Sequence, residues 1–226
     1  VDEDGTHSNA GSKAITVNNV APTIALGGAA SVNEGASYTL TLGAISDPGT
    51  DSVSSYVVHW GDGLSDTYAS AGEVSHVYAD GLTTPTINVD LVDEDGTHSN
   101  AGSKAITVNN VAPDLSATGA ATGIAGVLYT LTLADYVDPG QDALLADGIG
   151  IDWGDGSGIQ QINALGDVTH TFASAGDYSI QVSLTDEDGS FANVASVDTQ
   201  ISAASANVAI AAQADGVANE GDTFTR

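Results

Sequence analysis

The sequence predicts an all-β protein, with tandem antiparallel β-sandwich domains strung in an extended array. Three observations carry the prediction. The 22-residue phrase VDEDGTHSNAGSKAITVNNVAP opens the chain and returns unaltered at residues 92–113. Apolar and polar residues alternate with a period of two wherever a regular pattern is visible, and no stretch shows a helical stripe. Gly, Pro, Asp and Asn interrupt that pattern every few residues, as short strands joined by turns require.

Matching landmarks give the repeat. The opening phrase and YTLTL (Tyr38, Tyr129) each return after 91 residues, while WGDG (Trp60, Trp153) and DEDG (Asp93, Asp186) return after 93. That spacing suits an independent sandwich domain and exceeds the roughly 20–50 residues of most solenoid repeats. Residues 1–22 read as the C-terminal end of one repeat plus its linker, 23–113 as a complete domain with its linker, and 114–203 as a second domain. Residues 204–226 read as the start of another, because VANEGDTFTR echoes SVNEGASYTL at 31–40. The chain therefore reads as a cutting from a longer array.

Taken in order through the first complete unit, residues 23–27 form a short apolar strand after Pro22. SYTLTL follows, with Tyr38, Leu40 and Leu42 on one face. Residues 54–60 and 73–78 are bounded by turn residues. INVDLV puts Ile87, Val89 and Leu91 inward, and residues 99–108 complete the set. About seven short strands in a unit of this length predict an immunoglobulin-like sandwich.

Composition bounds the function. Thirty acidic residues against three basic ones give a formal charge of -27, which repels nucleic-acid phosphates and anionic membranes. Neither is expected as a partner, and no apolar run is long enough to span a bilayer. The chain has no cysteine, so thiolate metal sites and disulfides are excluded. Its acids stand in twos and threes beside Gly, Asn and Pro, in loops rather than in one acidic block. With so few cationic side chains, cations from solution are the natural counter-charge, and oxygen donors favour a hard ion such as calcium.

HWGDG (59–63), HVYADG (76–81) and INVDLVDEDG (87–96) in the first unit, with DWGDG (152–156) and HTFASAGDYSIQVSLTDEDG (170–189) in the second, resemble the PKD repeat. Its pattern runs W-x-F-G-D-G, then H-x-Y-x-x-x-G, then alternating strands ending in D-x-x-G. Here WGDG replaces the longer first motif. The resemblance implies immunoglobulin-like modules of bacterial surface proteins or secreted hydrolases, without catalysis of their own.

The acids then acquire positions. DPGTD places Asp47 and Asp51 between the second and third strands, and DEDG places Asp93 and Asp95 before the last strand. In this topology both loops lie at one pole, where the preceding linker enters. In extended chain Asp93 and Asp95 point to the same side and Glu94 to the other. The second unit's set is Asp138, Asp142, Asp186 and Asp188. Each Asp taken singly reads equally well as a turn former beside Gly. The paired spacing without counter-charges points to Ca²⁺, which takes about six to eight oxygens. Calcium-binding PKD members use these loops and the linker, which by resemblance adds Asn18 and Asn19 to the first site and Asn109 and Asn110 to the second. Asp62 and Asp155 read as turn formers at the opposite pole.

His76 and His170, two residues before an aromatic, read as structural imidazoles, and Trp60 and Trp153 as core residues. His7, His59 and His98 have no partner at metal-ligand spacing. No G-x-S-x-G elbow or phosphate-binding glycine loop is present, and the carboxylates recur in loops without a cleft, so no enzyme is expected. The expected function is a calcium-stiffened spacer or stalk in a large secreted or cell-surface repeat protein, an adhesin or a filament. Its partners are then the neighbouring repeats. The alternatives are an accessory module of a secreted hydrolase that grips carbohydrate or protein, and a self-assembling extracellular fibre subunit with homotypic contacts. All three place the chain outside the cell, at a bacterial surface.

Overall fold

Alternation is what turns these sequences into strands. Along Tyr38–Leu42 and Ile87–Leu91 every second side chain is buried, so each strand presents one wet face and one dry one. The computed structural model describes residues 3–6, 8, 11–49 and 51–205. The expected start of a following repeat lies, from residue 206 onward, outside the described residues, as does His7.

Nine strands build the first sandwich: β1 (Thr23–Gly28), β2 (Ser31–Asn33), β3 (Ser37–Ser46), β4 (Ser55–His59), β5 (Ser65–Tyr68), β6 (Gly72–Val77), β7 (Thr86–Asp93), β8 (Gly96–Ala105) and β9 (Thr107–Asn109). One sheet runs β1-β3-β6 and the other β5-β4-β7-β8. Eight strands build the second: β10 (Asp114–Gly119), β11 (Thr122–Ile124), β12 (Leu128–Val137), β13 (Leu144–Asp152), β14 (Ile159–Ile162), β15 (Gly166–Thr171), β16 (Gly176–Asp186) and β17 (Ser190–Ser202). Its sheets run β10-β12-β15 and β11-β17-β16-β13-β14. The described residues contain no helix.

The strand count exceeds the expected seven because each opening strand divides. β1 pairs with β3 antiparallel, and after residues 29–30 the chain leaves that sheet and β2 pairs with β9 in parallel, as a two-stranded sheet of their own. β10 and β11 repeat this division against β12 and β17. The last strand of the first unit also breaks at Ile106, whose N–H bonds Pro85 O instead of continuing the β7 ladder.

Each sandwich has its own core. Leu40, Val58, Ile87, Val89 and Leu91 are fully buried in the first, and Leu131, Ile151, Ile180, Val182 and Leu184 in the second. Burial of each such side chain contributes about 1.5–3 kcal/mol relative to exposure.

Trp60 and Trp153 lie in these cores, 0% and 1% exposed. His76 stacks on Trp60 at 4.7 Å and 7°, and His170 on Trp153 at 4.7 Å and 12°. Each imidazole Nε2 meets the WGDG aspartate, Asp62 at 2.6 Å and Asp155 at 2.7 Å. Asp62 and Asp155 also accept the N–H of Leu64 and Ser157, and so close the turn expected of them while fixing the histidine.

Candidate metal centre

The β12–β13 loop and the β16–β17 hairpin carry the second unit's acids. Asp138 Oδ1 accepts the Gly140 N–H, and Asp138 Oδ2 accepts the Tyr136 hydroxyl. Asp186 Oδ1 accepts the N–H groups of Asp188 and Gly189 at 2.9 and 3.0 Å, curling the chain into a tight turn. Glu187 reaches across to accept the Ala143 N–H, tying the two loops together. Short Asp side chains beside Gly dictate these local turns. The turns in turn leave the second carboxylate oxygens of Asp142 and Asp186 facing inward.

A residue of the first sandwich completes the cluster. Glu34, in the turn between β2 and β3, is 1% exposed, and its Oε1 accepts the Val111 N–H of the joint. Ligand atoms of Glu34, Asp142 and Asp188 lie within 4.8 Å of one another. So do those of Asp138, Asp142 and Asp186. Glu34 Oε2, Asp142 Oδ2 and Asp186 Oδ2 are buried with no hydrogen-bond partner among the described residues. Buried carboxylates without compensation are costly, and the charges that act most on Asp142 and Glu34 are all acidic. Burial, then the charges of Glu34, Asp138 and Asp188, push the Asp142 carboxyl up to about 7. Burial also raises Glu34, with Asp188 and Asp138 adding to it against the Val111 N–H. Orphaned, inward-facing, all-oxygen donors fit a hard divalent cation.

The joint itself is pinned from both sides. Gln141 N–H donates to Ala79 O at 2.8 Å, and Asn110 Nδ2 donates to Asp188 Oδ2 at 2.7 Å. Asn109 turns away, its Nδ2 donating to Asn33 Oδ1 at 3.2 Å, because its strand pairs there with β2.

At the first unit's pole, ligand atoms of Asp47, Asp51 and Asp93 lie within 4.8 Å of one another. Asp95 stands outside this trio. The extended geometry expected over 93–95 gives way to a turn, in which Asp93 Oδ1 accepts the N–H groups of Asp95 and Gly96. Asp95 lines a shallow cleft with Asp51, Asn18 and Asn19 instead. Burial, then the charges of Asp95 and Asp47, raise Asp51. Burial pushes the Asp93 carboxyl up as well. His98 and the N–H groups of Asp95 and Gly96 outweigh that effect and hold it below the ordinary range. His98 Nε2 stands 2.8 Å from Asp93 Oδ2, a charge partner that the second unit lacks because Phe191 takes the place of His98 across the hairpin.

Sequence reasoning missed Glu34. Its signal was the NEG triplet of residues 33–35, which recurs at 219–221 and had served only to mark the repeat. The second unit carries Ala125 there. Ala125 N–H bonds Ser202 O as Glu34 N–H bonds Asn109 O, which fixes the equivalence.

Residues 126–199, which include the WGDG turn, the stacked histidine and the acidic hairpin, match the PKD domain family. The second sandwich is therefore PKD-like over the matched residues. The first is PKD-like on the same motifs and the same sheet pairing. Such domains are typical of extracellular proteins, and no helix among the described residues is long and apolar enough to cross a membrane. The fold is also similar to fibronectin(III)-like modules of Clostridium thermocellum CbhA, at 17% identity over 80% of this chain and 93% of that one, with a TM-score of 0.32. Another similar structure is the three N-terminal domains of the bacteriophage RB49 highly immunogenic outer capsid protein. That similarity has 16% identity over 80% of this chain and 58% of that one, with a TM-score of 0.29. None of the curated proteins is similar enough to the chain to count as a relative.

Proposed function

We propose that the chain is a non-catalytic spacer segment of an extracellular repeat protein, in which calcium at the acidic pole of each PKD-like unit stiffens the joint with its neighbour. The observation that carries this reading is the set of orphaned, buried carboxylate oxygens between the two sandwiches. Mutual repulsion among these acids opens the joint when the ion is removed, and a shared ion closes it. Calcium suits the site better than magnesium, which demands tight octahedral geometry and keeps its waters. The partners are then the neighbouring repeats, and the setting is a cell surface or a secreted filament. Small-angle scattering of the chain in calcium and in chelator tests the reading. A change in maximum dimension supports it, and superposable profiles together with no calcium uptake by calorimetry overturn it.

A further inference from the structure

We infer that the joint between the two sandwiches holds two divalent cations that share the Asp142 carboxylate, the second being completed in trans by Glu34 of the preceding sandwich. This rests on the cation reading above and specifies its stoichiometry. Two observations lead to it.

The first is geometric. The acids form two ligand sets, Asp138–Asp142–Asp186 and Glu34–Asp142–Asp188, each with its ligand atoms within 4.8 Å of one another. Calcium–oxygen distances of about 2.3–2.6 Å put opposite ligands of one ion about 4.6–5.2 Å apart, so each set spans one ion. Asp142 belongs to both sets, and a carboxylate with two oxygens can bridge two ions. Each set also contains a residue at least nine-tenths buried with an unpartnered oxygen besides that of Asp142: Asp186 Oδ2 in one and Glu34 Oε2 in the other.

The second is electrostatic. The two sets together bring five carboxylates into one partly buried space. One divalent ion leaves three negative charges uncompensated there, and two leave one. Because unpaired buried charge is strongly disfavoured, the second ion is the natural complement.

Glu34 is the determinant of the second site. Ala125 occupies the same turn in the second sandwich with the same backbone hydrogen bonds, so that turn accepts an uncharged residue without refolding. Glu34→Ala is therefore a clean deletion of one ligand, whereas Gln would keep a coordinating amide oxygen.

The test counts Ca²⁺ bound per chain, by equilibrium dialysis with elemental analysis, in the full 226-residue chain and its variants, with tryptophan fluorescence of the buried Trp60 and Trp153 verifying both cores. Glu34→Ala is expected to bind one ion fewer than the parent, and Asp142→Ala two fewer. An unchanged count in Glu34→Ala, or a loss of only one ion in Asp142→Ala, overturns the two-ion joint and leaves a single-ion pole standing. An Asp142→Ala count equal to the parent's overturns the cation reading of the joint altogether.

Discussion

His170 is held by a ring face and a carboxylate at once, stacked on Trp153 while its Nε2 meets Asp155. The sequence showed it as a structural histidine two residues before an aromatic, but Asp155 read only as a turn former, because its second contact spans 15 residues. Burial pushes the Asp155 carboxyl up. The Ser157 hydroxyl, His170 and the Ser157 N–H overcome this and bring it down to about 2. A carboxylate whose folded pKa lies below its unfolded value of about 3.9 adds stability above that value and loses it as pH falls toward the folded one. Asp155→Asn should therefore lower stability by about 1–3 kcal/mol near neutral pH. Its deficit against the parent should shrink as pH falls from about 4 to about 2, which denaturant melts across that range would measure. Glu34 shows the opposite limit of legibility. Nothing local to it predicts burial, since its neighbours are Asn and Gly and its partners come from the joint and the next sandwich.

The inward faces of β3 and β12 were legible, since YTLTL alternates strictly and the structure buries Tyr38, Leu40 and Leu42 as it buries Tyr129, Leu131 and Leu133, although both strands run on beyond that motif to Ser46 and Val137. β2 and β11 were not, because strands of three residues offer too little sequence to show a period and exist through parallel pairing with strands more than 70 residues away. The hairpin over 93–96 was misjudged for a related reason, as extended alternation yields to an Asp that bonds the backbone two and three residues ahead. Core position within these strands sets the mutational cost. Leu131→Ala leaves a cavity in a fully buried site and should cost about 2–5 kcal/mol in urea unfolding. Leu128→Ala, three residues earlier and 64% exposed, should stay within about 0.5 kcal/mol. Equal costs for the two would mean that the inward face of β12 is wrongly assigned.

At the scale of the whole molecule, a net charge of -27 makes the arrangement of sandwiches a balance between repulsion and whatever binds the acids. Ligand binding to the folded state alone stabilises it by about 2.7 kcal/mol at a hundredfold excess over Kd. Calcium should accordingly raise the melting temperature of the chain and do so less in Asp142→Asn, as calorimetric scans would show. The acids are not the whole of the contact, because the sandwiches also touch through backbone. Gly35 takes φ +67°, and a Cβ there would collide with the carbonyl oxygen of Pro139 in the second sandwich. Its counterpart Gly126 takes φ +80° with nothing within 4 Å of the same added atom. Both Gly→Ala changes carry the left-handed strain of an L-residue, about 1–2 kcal/mol, so any difference between them isolates the contact with Pro139. Gly35→Ala must displace the β12–β13 loop or the joint, and with it the approach of Glu34 to Asp142 and Asp188. Scattering in saturating calcium should then show an altered maximum dimension and calorimetry a weaker calcium affinity for Gly35→Ala, while Gly126→Ala matches the parent in both. If the two alanine variants behave alike, close backbone contact at Gly35 does not set the geometry of the joint.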